Sequence, residues 1–276
     1  MKRAHLNDTR GRNLIAFAKA LAALTVTATL FPLQVMVRAL MRGPVSFALP
    51  QLWHRALCHI LAIGIERVGD TDPRSGTVYV GNHLSHFDIF VMGACVRAAF
   101  IAKDDMAIWP GMRLLGAMQH TLFVSRRARA AARVAEQVAS MRRQGQRLIL
   151  FAEGTTSSGV TVAPFKSSLF AVLVSGADSS RVSASVQPFT LQLLEADGQP
   201  LLDASDRDLY AFYGGASAGE HVWRFLRSRG ARVRVTLHAP IAITPGITRK
   251  TLAAAAHAVV IAELERGVQV GPPAPT

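Results

Sequence analysis

The alternation of apolar and polar positions divides the chain into two parts. Residues 13–66 hold two long apolar segments, and from Gly76 onward short apolar runs alternate with helix-like stretches. Six of these runs are typical of strands: TVYVG, AAFIA, TLFVS, RLILFA, VSASVQPF and RVRVTLH. Helical patterns lie between several of them, at residues 128–143, 167–176, 220–229 and 248–266. The alternation predicts an α/β fold, a mainly parallel sheet flanked by helices.

The first apolar segment is long enough to enter a membrane. Its uncharged stretch, residues 20–37, has 18 residues, or about 27 Å as a helix, against a hydrocarbon core of roughly 30 Å. Pro32 and Gln34 interrupt it, and Lys19 and Arg38 place positive charge at both ends. We therefore favour a helix that dips into one leaflet, or a hairpin, over a helix that crosses the membrane. A signal peptide fits less well, because no good cleavage site follows.

The second apolar segment, VSFALPQLWHRALCHILAIGIERVG, carries Arg55 in its middle and predicts an amphipathic helix. The two segments together predict an N-terminal membrane-associated helical pair, although two ordinary core helices remain an alternative. The chain is then divided into a basic mobile N-terminus (1–12), a membrane-associated helical segment (13–66), an α/β domain (67–267) and a disordered tail (268–276).

Composition and charge indicate which partners to expect. Half of the residues are hydrophobic, only 7% are aromatic, and the formal net charge is +13. Nucleic acid, an anionic membrane surface or an acidic carrier protein would each suit that charge. The high apolar content favours a membrane, and the chain has no recognisable nucleic-acid motif, so no nucleic-acid partner is expected. The two cysteines, Cys58 and Cys95, imply no disulfide framework and fit a reducing compartment.

The sequence NHLSHFD, residues 82–88, carries the most distinctive chemistry. It follows the predicted strand TVYVG and precedes a helix-like run, so its side chains can be exposed while the strand holds them. Asp88 is close enough to bind one ring nitrogen of His83, which leaves the other nitrogen to accept a proton. Such a pair, with no nucleophile beside it, suits activation of a hydroxyl. The alternatives are a surface loop with a satisfied histidine and a metal site formed with His86, which the scattered histidines disfavour.

Two more polar clusters follow predicted strands. Ser125 and Arg126 follow TLFV, and Glu153, Gly154, Thr155 and Thr156 follow RLILFA. The carboxyl ends of parallel strands share one edge, so we expect these clusters to converge on the histidine. The glycine-containing loop can offer backbone N–H groups to an anion or an oxyanion, although it also fits a flexible connection.

Basic residues surround these clusters. Lys166 directly precedes a helix that Ser167 would cap, so that a cation and free N–H groups lie together, unless it is a solvated surface lysine. Arg126, Arg129 and Arg133 fall on one face of a predicted helix and suggest an acidic partner.

A serine-hydrolase signature also occurs. GASAG, residues 215–219, matches G-x-S-x-G with Ser217 as the nucleophile. The expected order of acid and then histidine is missing after it, because no aspartate follows and the last histidine, His257, precedes Glu263. We interpret GASAG as a loop that opens the helix predicted at 220–229.

With these motifs in place, residues 79–241 resemble the glycerolipid acyltransferases of the lysophosphatidate acyltransferase type. The family's N-H-x-x-x-x-D motif is matched at residues 82–88. Its G-x-x-F-I-x-R motif is matched by Phe123, Val124 and Arg126, with His120 where glycine is usual. Its F-P-E-G-T-R-S motif is matched by Phe151, Glu153, Gly154, Thr155 and Ser157, with Ala152 in place of proline and Thr156 in place of arginine. A fourth motif, an apolar run ending at proline, resembles the sequence ending at Pro188.

The resemblance implies an O-acyltransferase that moves a fatty acyl group from an acyl carrier protein or CoA thioester to the hydroxyl of a lysolipid. It implies His83 and Asp88 as catalytic residues, with no metal and no cofactor. It assigns acceptor binding to these residues: Asn82, Arg126, Glu153, Gly154, Thr155, Thr156 and Lys166. Arg129 and Arg133 would meet the donor or the membrane surface. Such an enzyme would work at the cytoplasmic face of the inner membrane.

The resemblance implies lysophosphatidate or lyso-ornithine lipid as the acceptor. Because Thr156 replaces the arginine that the resemblance links to the substrate phosphate, we expect an acceptor without a glycerol phosphate, as in the branch acylating lyso-ornithine lipid, which EGTTSSG resembles. A basic membrane-associated scaffold without activity is the alternative function.

Overall fold

The computed structural model describes residues 2–41, 43–104, 112–124, 131–174, 185–215 and 217–269. Its helices are α1 (Lys2–Leu40), α2 (Ala48–Leu61), α3 (Asp88–Cys95), α4 (Met112–Met118), α5 (Ala131–Arg143), α6 (Ser167–Val174), α7 (Ala218–Leu226) and α8 (Arg249–Gln269). Its strands are β1 (Ile63–Val68), β2 (Val78–Gly81), β3 (Ala99–Lys103), β4 (Leu122–Val124), β5 (Leu148–Phe151), β6 (Ser185–Ala196), β7 (Gln199–Pro200), β8 (Ala231–Leu237) and β9 (Ile241–Ala242). Each predicted strand segment contains a strand and each predicted helical segment a helix, whereas α4 was not predicted.

The described strands form one mixed sheet in the order β1-β8-β6-β2-β5-β3-β4, with β7 and β9 paired to β6. Its neighbours run parallel except where β6 meets β8, β7 and β9. The predicted mainly parallel sheet is therefore confirmed. Gly81 at the end of β2 lies opposite Phe151 at the end of β5. The loops that leave these two strands consequently start side by side.

Helices cover both faces of the sheet, and alternate strand residues supply the two cores. Tyr79 and Ile149 belong to the core that includes residues of α2, α3 and α7. Val78 and Leu148 belong to the core that includes residues of α5, α6 and α8. All four side chains are fully buried. Burial on both faces explains why these strands are uninterrupted apolar runs.

The second apolar segment is helical for only part of its predicted length. α2 ends at Leu61 because Ala62 takes a left-handed conformation (φ 58°, ψ 42°) and its amide closes the helix on the preceding turn. The chain then forms β1, which pairs in parallel with β8. The prediction of one helix through this segment is wrong, because Ile63 and Ile65 alternate with Gly64 in the period of a strand. β1 also straddles the predicted division of the chain at residue 66.

The first apolar segment is one continuous helix and not a hairpin. α1 begins at Lys2, so residues 2–12, predicted to be mobile, are helical. Thr25, Thr27 and Thr29 donate their hydroxyls to carbonyls four residues earlier, which satisfies them within an apolar helix. In the described part of the chain, one helix, Thr9–Leu40, is long and apolar enough to cross a membrane.

α1 contacts the rest of the protein at points along its length. Lys19 Nζ donates to the Ser228 carbonyl at 2.9 Å. Gln34 Nε2 donates to the carbonyls of Ser46 at 2.9 Å and Met118 at 3.0 Å. From Leu14 to Leu40 the helix surface carries many exposed apolar side chains: Leu14, Ile15, Phe17, Leu21, Leu24, Leu33, Val35, Met36 and Leu40.

A buried carboxylate ties the segment before β2 to the start of β6. Asp72 is 3% exposed and accepts hydrogen bonds from Ser185 Oγ at 2.6 Å, Arg74 Nε at 2.9 Å and Thr77 Oγ1 at 3.2 Å. Burial alone disfavours the charged carboxylate, but the hydrogen bonds from Arg74 and Ser185 outweigh it and lower the pKa of Asp72 to about 2.

We expect Asp72→Asn to lower the free energy of unfolding by about 2 kcal/mol at neutral pH, because it leaves donors facing an amide. A folded-state pKa below the unfolded value of about 3.9 gives stability that is complete above that value and disappears as the pH falls through about 2. The difference between wild type and variant should therefore shrink between about pH 4 and pH 2. Thermal unfolding measured against pH checks this, with the exposed Asp70→Asn as control. An equal loss at every pH would contradict it.

Candidate active site

His83 and Asp88 form a hydrogen-bonded pair just beyond the carboxyl end of β2. His83 Nδ1 lies 2.9 Å from Asp88 Oδ2. The imidazole is 18% exposed, whereas the carboxylate is fully buried. Within the described ranges no residue hydrogen-bonds the second ring nitrogen, Nε2. The carboxylate therefore orients the ring and leaves Nε2 to accept a proton.

The local chain folds around the Asp88 carboxylate. Oδ2 also accepts the amide N–H of Leu84 at 2.6 Å and that of Ser85 at 2.9 Å. Oδ1 accepts the Tyr210 hydroxyl at 2.9 Å. Asp88 lies in the first turn of α3, where the helix dipole favours a negative charge. With His83 this makes four donors, which offset the cost of burying the charge.

The strand beside β2 holds the imidazole from its flat side. The Phe151 ring, at the end of β5, stacks on the His83 ring with centroids 4.0 Å apart and planes 11° apart. Ser157, in the loop that follows β5, donates its amide to the His83 carbonyl at 2.8 Å. Both the ring plane and the main chain of His83 thus depend on the β2–β5 pairing.

Asn82 and Glu153 are buried supports of this loop. The Asn82 side chain exchanges two hydrogen bonds with the main chain of Leu191 on β6, at 2.9 and 2.7 Å. Glu153 accepts the amides of His83 at 2.8 Å and Ala163 at 3.0 Å. Both side chains are 0% exposed. Both residues thus support the loop through polar atoms that are already engaged, and their predicted contact with the acceptor stays a prediction.

Burial raises the pKa of Glu153. The hydrogen bonds from the two amides favour the charged form and lower the pKa, but the effect of burial is larger. Because the folded state binds this proton more tightly than the unfolded chain does, the contribution of Glu153 to stability is complete at low pH and decreases as the pH rises through its titration.

The loop after β5 brings two ammonium groups to one glycine. Gly154 has a φ of +71°, which favours glycine, and a Cβ there would lie 3.0 Å from Lys166 Cδ. Lys103, at the end of β3, donates to the Gly154 carbonyl. The Gly154 amide itself is engaged with the Phe151 carbonyl at 3.3 Å. Lys166 was predicted at the site, whereas Lys103 was not.

The remaining predicted site residues differ in what can be said of them. Thr155 is exposed and Thr156 half-buried in the same loop, and Arg133 is exposed on α5. Ser125, Arg126 and Arg129 lie outside the described residues. The predicted convergence of polar clusters is confirmed for those after β2 and β5, and stays a prediction for the cluster after β4, which β3 separates from β5.

The two competing site hypotheses are not supported by the geometry. His86 Nε2 lies 3.2 Å from His221 Nδ1, and burial, followed by the His221 charge, lowers the pKa of His86 to about 4. No group of three or more histidine, cysteine, aspartate or glutamate side chains in the described ranges could hold a metal ion. Ser217 occupies the position before α7, as expected of a loop that opens a helix.

Tyr210, like Lys103, is a site residue that sequence reasoning missed. It contacts Asp88 across 122 positions of sequence. No local spacing in the sequence predicts such a distant partner, and Tyr210 belongs to none of the four motifs.

An acyltransferase family model matches residues 63–192. The lyso-ornithine lipid O-acyltransferase of Rhizobium meliloti (strain 1021) is 30% identical over 76% of this chain and 72% of that protein. The chain belongs to this acyltransferase family. The lyso-ornithine lipid O-acyltransferase of Brucella abortus (strain 2308) is 29% identical over 86% of this chain and 89% of that protein.

Lysophosphatidate-type relatives match a smaller part of the acyltransferase. A 1-acyl-sn-glycerol-3-phosphate acyltransferase of Neisseria meningitidis is 35% identical over 42% of this chain and 46% of that protein. The crystal structure of the 1-acyl-sn-glycerophosphate acyltransferase PlsC from Thermotoga maritima superposes with a TM-score of 0.65. It covers 95% of this chain and all of its own at 18% identity, which supports the fold. The expected family and enzyme class, a lysolipid O-acyltransferase, are confirmed.

Proposed function

We propose that His83 is the general base of acyl transfer to a lysolipid hydroxyl. The observation that carries this proposal is the 2.9 Å contact between His83 Nδ1 and Asp88 Oδ2, which leaves Nε2 as the basic atom. Nε2 removes the hydroxyl proton while the oxygen attacks the carbonyl carbon of the acyl thioester. Asp88 stabilises the imidazolium that forms.

The second half of the reaction returns the proton. The tetrahedral intermediate collapses, the C–S bond breaks, and the imidazolium gives its proton to the sulfur. The products are an O-acyl ester and a free thiol, and no covalent acyl-enzyme forms. The turn at Thr155 and Thr156 is the proposed source of oxyanion N–H donors, since the Gly154 amide is already engaged.

We infer that lyso-ornithine lipid is the preferred acceptor. Thr156 stands where the lysophosphatidate-type motif has arginine, so a bidentate contact to phosphate is missing there. Lys103 and Lys166 still place two cations beside Gly154, and an ammonium group binds a carboxylate as well as a phosphate. The named lyso-ornithine relatives also align with more of the chain than the lysophosphatidate-type relatives do.

An acyl carrier protein is the donor we favour over CoA. The chain has a net charge of +13, and Arg133 is exposed on α5, near in sequence to Arg129. A basic face attracts an acidic carrier at long range and raises the rate of encounter.

We propose that α1 lies in one leaflet of the inner membrane, with the α/β domain at its cytoplasmic face. Contacts with the domain extend from Phe17, which packs on Trp223, to Gln34, a distance of about 26 Å along the helix. If a helix attached over such a length crossed the bilayer, the polar α/β domain would have to enter the hydrocarbon core with it. Its exposed apolar side chains suit burial among acyl chains.

We expect His83→Ala to lower acyl transfer by about 10²-fold to 10⁴-fold, because the base is lost. Membranes supplied with lysolipid and either acyl carrier protein or CoA thioesters provide the assay. The exposed His59→Ala is the matched control and should retain activity. Full activity of His83→Ala would show that His83 is not the base, whereas a scaffold without activity would transfer no acyl group even as the wild type.

We expect Thr156→Arg to shift the acceptor preference toward lysophosphatidate by about tenfold, because it restores a charge-assisted contact to phosphate. The ratio of kcat/KM for lysophosphatidate and lyso-ornithine lipid measures the shift. Thr155→Arg adds the same charge at the neighbouring exposed position and should change the ratio less. An unchanged ratio in Thr156→Arg would argue against this position as the headgroup determinant.

We expect an epitope tag at either end of the chain to resist protease added to intact spheroplasts and to be cleaved after lysis. A helix confined to one leaflet leaves both ends on the same side of the membrane. Cleavage of the N-terminal tag alone in intact spheroplasts would show instead that α1 crosses the bilayer.

A further inference from the structure

We propose that Tyr210 is a positioning residue of the acyltransferase, which fixes the Asp88 carboxylate so that Oδ2 faces His83. Its phenol oxygen lies 2.9 Å from Asp88 Oδ1, on the carboxylate oxygen that the loop does not bind. The inference rests on the proposed role of His83 as base.

The two oxygens of Asp88 have different partners. Oδ2 accepts three N–H groups, from His83, Leu84 and Ser85. Oδ1 accepts the hydroxyl of Tyr210. Both Asp88 and Tyr210 are 0% exposed, so water does not replace the phenol readily. The terminal torsion of an aspartate is broad, and a donor on each oxygen is what limits its rotation.

Tyr210 is itself held against residues 82–88, the loop that carries His83 and Asp88 and is called the catalytic loop below. The segment that carries it is tied down two residues later, where the Phe212 amide donates to the Leu84 carbonyl at 2.8 Å. The Tyr210 ring packs on Phe87, with centroids 5.8 Å apart, and on Phe225, with centroids 5.9 Å apart. The cluster of Tyr210, Phe87 and Phe225 therefore joins α7 to the loop and fixes the position of the Tyr210 hydroxyl beside Asp88.

The charge state of this cluster favours donation by the phenol. Burial, and then the Asp88 charge, hold the pKa of Tyr210 well above its usual value, so the hydroxyl keeps its proton at working pH. The other titratable groups near the pair are His86, with its neighbour His221, Glu153 below the loop and Cys58 near the phenol. Among the described residues, the side chain that donates a hydrogen bond to Asp88 Oδ1 is that of Tyr210.

Loss of the phenol has a defined chemical consequence. The hydroxyl draws negative charge from Asp88, so its removal leaves a carboxylate that stabilises the imidazolium more strongly. The acidic limb of the rate profile then moves to higher pH. A carboxylate held on one oxygen alone also orients the imidazole less well, which lowers kcat and not the affinity for lysolipid.

Tyr210→Phe tests this, with Tyr79→Phe as the matched control. Both tyrosines are 0% exposed, but the Tyr79 hydroxyl is buried without a hydrogen-bond partner in the described chain. We expect Tyr210→Phe to lower kcat about tenfold with little change in KM, and to move the acidic limb upward. Tyr79→Phe should do neither. Wild-type kcat and pH profile in Tyr210→Phe, or the same losses in Tyr79→Phe, would overturn the proposal.

A second variant keeps the hydroxyl and changes only its acidity. The chain has three tyrosines, so 3-fluorotyrosine incorporated into the double variant Tyr79→Phe/Tyr213→Phe labels Tyr210 alone. A more acidic phenol donates a stronger hydrogen bond, and the acidic limb should move to lower pH, opposite to Tyr210→Phe. A shift in the same direction, or none, would contradict the proposal even if Tyr210→Phe does not fold.

A measurement that needs no turnover separates this inference from the proposed function. In the full chain labelled with ¹⁵N-histidine, NMR reports which ring nitrogen of His83 carries the proton. We expect the Nδ1-protonated tautomer in wild type and a mixture in Tyr210→Phe. If acyl transfer proves independent of His83 while the tautomer still changes, the proposed function fails and the positioning role stands. An unchanged tautomer overturns the positioning role.

Discussion

A single buried carboxylate determines the form of the catalytic loop. Asp88 is fully buried, and a buried charge is tolerated only when its lone pairs are satisfied. The chain supplies four donors to it, from His83, Leu84, Ser85 and Tyr210. Three of these donors require the loop to curl around the start of α3. The imidazole is therefore oriented by the same bonds that make burial of the charge possible.

The loop is in turn held in place by contacts with β6 and with β5 and the loop that follows it. Asn82 bonds to β6 on one side, and Glu153 and Phe151 hold His83 from the β5 side. Asn82 and Glu153 are buried and Phe151 is partly buried, and their partners join β2 to its two neighbours in the sheet. The parallel order of β6, β2 and β5 is thus part of the site, because it brings three distant parts of the chain to one edge.

The elements that sequence predicted are those with local signals. β2 and β5, in the centre of the sheet, are apolar runs buried on both faces, and His83 and Asp88 are five positions apart, so the sequence pattern sufficed to predict both. β1 was missed because its isoleucines continue the apolar pattern of α2, and the turn at Ala62 depends on a residue with no left-handed preference. His120 likewise takes a positive φ of 57°, where the family has glycine. Tyr210 could not be predicted, since its contact with Asp88 arises only from tertiary packing.

The geometry also separates the chemistry from the choice of acceptor. In the proposed function, His83 and Asp88 act on a hydroxyl and a thioester carbonyl, which do not differ between lysolipid headgroups, so the pair does not distinguish headgroups. Discrimination must come from groups beyond the reacting atoms, and Lys103, Lys166 and Thr156 lie in that position around Gly154. A change in this loop can therefore alter the acceptor while the pair, held by buried bonds of its own, stays as it is.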